Sequence, residues 1–204
     1  MKYFIISDTH GNLDKVYEVY KTLEGIDAII HLGDYEKDAV EIRETLKVDV
    51  ISVRGNMDGG FGEHEHKILE TECGKLYLAH GHLENVKMKY QNIYYYALEN
   101  QCVAALFGHT HKAVFENLGD MYLINPGSLT LPADGSKGTY VILQTSKDGL
   151  NGQICKYEDV VTKSNTNLQD SAESKESAPK TNKANAPKVQ GGYLRSLLNY
   201  SDRF

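Results

Sequence analysis

The sequence predicts an α/β fold in which two β-sheets pack face to face with helices outside. Three observations predict it. The first 53 residues alternate strand and helix as a βαβαβ unit, whose crossovers are expected to be right-handed. Hairpin pairs and late strands follow. Finally, five short apolar runs each end in a residue able to bind a divalent metal: Asp8 and His10, Asp34, Asn56, His80, and His109 with His111. Five such exits bring the carboxyl ends of several strands to one place, where open α/β sheets hold their ligands.

Each element has a local reason. Tyr3 to Ile6 is aromatic and β-branched and reads as a buried strand. Asn12 can cap a helix running to about Glu24, with Leu13, Val16, Tyr17, Tyr20 and Leu23 at helical spacing and Gly25 as the stop. Ala28 to Leu32 is the second strand, Asp38 to Leu46 a helix, and Val50 to Val53 the third strand. Lys67 to Glu72 and Lys75 to Ala79 flank Cys73-Gly74 as a hairpin. Val86 to Asn100 is the next helix, its Tyr94-Tyr95-Tyr96 run read as core packing. Val103 to Phe107 is a strand; Lys112 to Glu116 and Met121 to Ile124 form a second hairpin. Gly138 to Thr145 and Gly152 to Tyr157 are late strands.

Residues 1–162 are expected to form one domain. Residues 163–190 are polar and read as a disordered linker. Residues 191–204 regain apolar character through Tyr193, Leu194, Leu197 and Leu198, as either a frayed end or a docking helix for a protein partner. From Lys163 onward there are seven Lys+Arg against four Asp+Glu, so the total of −6 leaves −9 on residues 1–162. An acidic body argues against long nucleic acid as a partner. No stretch approaches a membrane span, and the start is too short for a signal peptide. Three unpatterned cysteines point to a cytoplasmic protein.

In extended backbone, residues i and i+2 share a face. Asp8-Thr9-His10 and His109-Thr110-His111 can therefore each aim two ligands at one point. Gly11, Gly33, Gly55, Gly81 and Gly108 sit beside them, where the chain must turn or approach closely. Carboxylate, imidazole and amide donors suit a pair of transition-metal ions rather than calcium. Manganese is the expected ion, and iron, zinc, cobalt and nickel suit the same donors.

Asp8-Thr9-His10, Gly33-Asp34, Gly55-Asn56-Met57-Asp58, His80-Gly81 and Gly108-His109-Thr110-His111 resemble, in order and spacing, the five motifs of the calcineurin-like metallophosphoesterase superfamily. Arg54, Asn125-Pro126-Gly127-Ser128 and the length resemble its small single-domain phosphodiesterase branch, which is related to a retromer subunit. The resemblance covers roughly residues 1–160. It implies a four-layer α/β/β/α sandwich of two mixed sheets. It also implies two metals, one held by Asp8, His10 and His111, the other by Asn56, His80 and His109, with Asp34 bridging. The implied reaction is hydrolysis of a small phosphate ester, in which a metal-bridging hydroxide attacks phosphorus in line.

One position departs from that pattern. The superfamily usually carries His after Gly-Asn, where this chain has Met57, and a thioether donates no proton. General acid catalysis contributes about 10²–10⁴-fold, so esters with good leaving groups are favoured. The small branch often lacks this histidine too. Asp58 and His82 are the candidates to substitute through water, joining Asp34 and Asn56 as expected catalytic residues. His31 is read as core or supporting packing, His64 and His66 as a solvated loop, and Arg54 as an ion pair. Asn125 to Ser128 is read as a turn supporting the His109–His111 loop. Two alternatives to the enzyme are a protein-interaction scaffold that keeps the metal site and a nuclease. A homodimer through the tyrosine-rich helix is a further expectation.

Overall fold

Two five-stranded mixed sheets form the inner layers of the molecule. The computed structural model describes residues 1–59 and 65–162; His64 and the segments 163–190 and 191–204 lie outside the described residues. In the first sheet, β1 (Lys2–Ile6), β2 (Ala28–His31) and β3 (Asp49–Ser52) run parallel. The antiparallel pair β9 (Thr139–Ser146) and β10 (Gly149–Lys156) extends it beside β1. In the second sheet, β5 (Gly74–Ala79), β6 (Cys102–Leu106) and β8 (Tyr122–Pro126) run parallel. Two antiparallel edge strands, β4 (His66–Thr71) and β7 (Ala113–Asn117), complete it.

Alternation along the strands explains the layers. Tyr3 and Ile5 of β1 join Ile30, Leu76, Leu78, Leu106 and Ile124 in a core between the sheets. Their neighbours Phe4 and Ile6 face the other way, onto Val16 and Val19 of α1 (Asp14–Tyr20) and Ala39 and Ile42 of α2 (Glu36–Leu46). α3 (Gln91–Glu99) covers the second sheet through Ile93 and Ala97. A strand buried on both faces must read as an unbroken apolar run, as β1 does. The expected four layers are present. Among the described residues no helix is long and apolar enough to cross a membrane.

Several boundaries differ from expectation. α1 stops at Tyr20, because Thr22 and Leu23 donate to carbonyls only three residues back and the turn tightens. Asn12 is not its N-cap; Leu13 holds that position, and Asn12 Oδ1 accepts the Asp14 N–H at 3.2 Å. α2 starts two residues early, since Asp58 Oδ1 accepts the Glu36 N–H at 2.6 Å and caps it from another loop. α3 starts late, because Asn85 at φ 61° closes a turn through residues 82–88. The tyrosine run is core only in part: Tyr94 is half-buried against the second-sheet cluster, whereas Tyr95 and Tyr96 are 58% and 48% exposed. The buried face of α3 is the i, i+4 pair Ile93 and Ala97 instead. His66 opens β4 rather than lying in a loop, with its ring stacked on Tyr77.

Candidate metal centre

The exits of β1, β2, β3, β5 and β6 meet at one end of the sandwich. Backbone bonds tie them together. The Asp8 N–H donates to the Gly33 carbonyl at 3.1 Å, and the Gly108 N–H to the His80 carbonyl at 3.0 Å. The His109 N–H donates to Asp8 Oδ2 at 3.0 Å. Asp8, His10, Asp34, His109 and His111 all have positive φ, between 49° and 63°. Such conformations cost non-glycine residues on the order of 1–3 kcal/mol each and persist only where the surroundings over-determine them.

Those surroundings fix the donor atoms. His80 Nδ1 donates to the Leu32 carbonyl at 2.8 Å, so the Nε2 lone pair points inward. It faces Asn56 Oδ1 at 3.2 Å, Asp34 Oδ1 at 3.4 Å and Asp8 Oδ1 at 3.9 Å. His111 repeats the arrangement: Nδ1 meets the Leu131 carbonyl at 2.6 Å and Nε2 lies 3.1 Å from Asp8 Oδ1. Asp8 Oδ1 and His10 Nε2 are buried without a hydrogen-bond partner. Ligand atoms of Asp8, His10 and His111 lie within 4.8 Å of one another, as do those of Asp8, Asp34 and His80. Acceptors converging on acceptors repel unless a cation sits among them. The residues present therefore fit divalent metal ions.

Ionisation agrees with that arrangement. Burial opposes the Asp8 charge, but the neighbouring His111 and His80 imidazoles outweigh it and hold the carboxyl below its usual range. Asp8 in turn raises His111. His109, with its ring centroid 4.9 Å from that of His80, is pushed down to about 4 by burial and by His80. A histidine kept neutral at physiological pH is ready to ligate.

Support comes from outside the ligand set. Asn125 Nδ2 donates to the Gly108 carbonyl at 2.8 Å and to Thr110 Oγ1 at 3.1 Å. Ser128 Oγ donates to the Asp8 carbonyl at 2.9 Å. Asn125, which lies in β8 rather than in the expected turn, thus braces the His109–His111 loop, while Ser128 braces the Asp8 loop. A Cβ at Gly55 would lie 2.1 Å from Asp34 Oδ1, which is why the chain has glycine there.

A buried chain of bonds joins two ligand loops. The Gly33 N–H donates to His31 Nδ1 at 3.3 Å, leaving Nε2–H to donate to Thr9 Oγ1 at 2.9 Å. The Thr9 hydroxyl donates to Asp38 Oδ2 at 2.6 Å, which also accepts the Gly11 N–H at 2.8 Å. Burial lowers the His31 pKa and keeps it neutral. The supporting role read for His31 is what these contacts describe. Thr9 and Asp38 were not legible as site residues. The available signal was Thr9 itself, which must point away from the pocket if Asp8 and His10 point into it.

The remaining candidates lie differently. Asp58 is turned onto backbone, with Oδ1 on the Glu36 N–H and Oδ2 on the Gly55 N–H at 2.9 Å, so its carboxylate braces a loop. Arg54 pairs with Glu36 at 3.3 Å, as expected. The His82 ring is 5.4 Å from that of His80, and its Nδ1 is buried without a partner.

Residues 1–148 match the family described as the calcineurin-like phosphoesterase superfamily domain. The chain is 34% identical to the probable metallophosphoesterase YsnB of Bacillus subtilis, covering 72% of this chain and 86% of that one. It is 30% identical to the phosphodiesterase MJ0936 of Methanocaldococcus jannaschii, over 62% of this chain and 83% of that one. Among solved structures, zinc-complexed Vps29 of Entamoeba histolytica shares the fold at a TM-score of 0.62 and 20% identity, covering 77% of this chain and 99% of that one.

Proposed function

The chain belongs to the calcineurin-like phosphoesterase superfamily and is a metal-dependent phosphoesterase; on that premise we propose that it is a dinuclear phosphodiesterase acting on a small phosphate ester. The observation carrying this reading is the cluster of inward acceptors on Asp8, His10, Asp34, Asn56, His80 and His111, which calls for more than one positive charge. Asp8, His10 and His111 would hold one ion, and Asn56, His80 and His109 the other. Asp34 would serve both, and its Oδ1 is steadied by the Met57 N–H at 2.9 Å. Bound ions supply an ionised water at neutral pH and neutralise charge on the phosphoryl oxygens. The protein holds its ligands in strained, pre-set positions, so little reorganisation accompanies reaction.

The preference for diesters is supported by the name of the archaeal relative. Met57 bears on the leaving group instead, since without a proton donor there the chemistry favours leaving groups stable as anions. His82, near His80 and His109, is the polar group placed to meet substrate, and Asp58 acts through the Gly55–Met57 backbone. Manganese is the proposed ion, and the free cysteines Cys73, Cys102 and Cys155 fit a reducing cytoplasm. The test is steady-state hydrolysis of a bis-aryl phosphodiester and its monoester by the full chain in defined manganese. Diester turnover exceeding monoester turnover, and lost on chelation, is expected. Inertness across a broad ester panel with metal bound would remove the reading.

A further inference from the structure

Beside the metal pocket lies a second cavity, of about 330 Å³, lined by Tyr35, Glu36, Lys37, Met57, Asp58 and Gly59. Two of its walls adjoin candidate ligands. Tyr35 follows Asp34 in the chain, and its ring centroid is 5.3 Å from that of His10 in an edge-on contact. Met57 follows Asn56, and its backbone N–H holds Asp34. The cavity therefore shares the walls Tyr35 and Met57 with the place where a phosphoryl group would meet the metal ligands.

The polar walls are already engaged. Asp58 accepts two backbone N–H groups, and Glu36 pairs with Arg54. The side chains left to meet a ligand are the Tyr35 ring, the Met57 thioether and the Lys37 ammonium. Tyr35 and Met57 are 37% and 57% exposed. Tyr35 also sits at φ 76°, a conformation rarely adopted by a bulky aromatic. Strain of that kind on an exposed ring beside a reactive site is characteristic of ligand clamps.

We propose that this cavity is a specificity site for a planar ring on the alcohol side of the phosphate ester, held against the Tyr35 ring and the Met57 thioether. An aromatic face and a polarizable sulfur both favour a flat π-system over an aliphatic alcohol. Nucleoside and simple aryl esters share that chemistry. Lys37 stands at the rim to meet a further anionic group. This inference rests on the phosphoesterase reading of the neighbouring pocket.

Two measurements test it on the full chain. The first compares kcat/KM for the methyl esters of adenosine 5′-phosphate and ribose 5-phosphate, which share a leaving oxygen and differ by the base; benzyl and cyclohexylmethyl methyl phosphates, matched in leaving oxygen, form the aryl arm. The second measures binding of adenosine 5′-phosphate and ribose 5-phosphate to manganese-loaded protein by calorimetry. Base stacking predicts a preference of roughly tenfold or more for the adenosine compound in both. Tyr35→Asn, which tolerates positive φ, is expected to collapse that ratio, Met57→Ala to reduce it, and Tyr35→Phe to keep it. Equal affinities for the two compounds, or a ratio unmoved by both Tyr35→Asn and Met57→Ala, overturns the inference. A base preference in binding without hydrolysis of any ester supports this site while removing the reaction proposed above.

Discussion

The strand β1 and the loop that leaves it behave as different materials. From Tyr3 to Ile6 every side chain is buried and apolar, shared between the inter-sheet core and the helical layer. From Asp8 to His10 the backbone turns left-handed, and buried Asp8 Oδ1 and His10 Nε2 lack partners. Three of the four buried side-chain polar atoms without partners among the described residues, counting His82 Nδ1, lie at this end of the molecule. The strand is apolar on both faces, whereas the exits are strained and short of positive charge. A dry interior with surplus stability permits a local violation of good folding rules, and that violation makes a cation-binding site.

Substitutions in the two regions should therefore fail differently. Asp34→Asn removes one negative charge from the centre without changing its shape. Diester hydrolysis is expected to fall about 10³-fold or more, while circular dichroism and the metal-free melting temperature stay close to the parent. A comparable loss of fold would erase the distinction between the regions. Leu106→Ala probes the other side. Leu106 is fully buried between the sheets, and its truncation is expected to cost about 2–5 kcal/mol in urea unfolding, with specific activity of the folded fraction retained.

Thr9→Val sharpens the boundary, because Thr9 sits between two ligands while its hydroxyl meets His31 and Asp38 instead. It removes the hydroxyl linking His31 to Asp38 at nearly constant volume. Outer contacts of this kind contribute about 10- to 100-fold in metal affinity, so manganese binding measured by calorimetry should weaken by that factor. Thr9→Ser should restore most of it. Unchanged affinity would reduce the chain of bonds to packing.

The smallest expected effect is on acid stability. His109 titrates near 4 in the fold against an ordinary 6.5, and burial also lowers His31 and His82. As pH falls from about 6.5 toward 4, the unfolded chain takes up protons that these folded imidazoles refuse, so stability declines through that window. His111, raised by Asp8, opposes the trend as one group against three. Melting of metal-free protein between pH 7 and pH 4 should show the decline, and flat melting temperatures would contradict it.

The sequence by itself determined the strand order of the first half, the position of the metal-capable residues at strand exits, and the glycines beside them. Those signals are local: a doubly buried strand must be continuously apolar, and a ligand following it must leave the sheet at its carboxyl end. Tertiary structure alone decided what each polar group meets. Asp58, a candidate proton relay in sequence, caps α2 and braces Gly55. Asp38, an ordinary helix residue in sequence, anchors the Asp8–Gly11 ligand loop at two points, and Tyr95 and Tyr96 point outward because Ile93 and Ala97 occupy the inner face of α3. A hydrogen-bond partner distant along the chain leaves no periodic trace in sequence, so such roles become readable only once the sheets have brought the loops together.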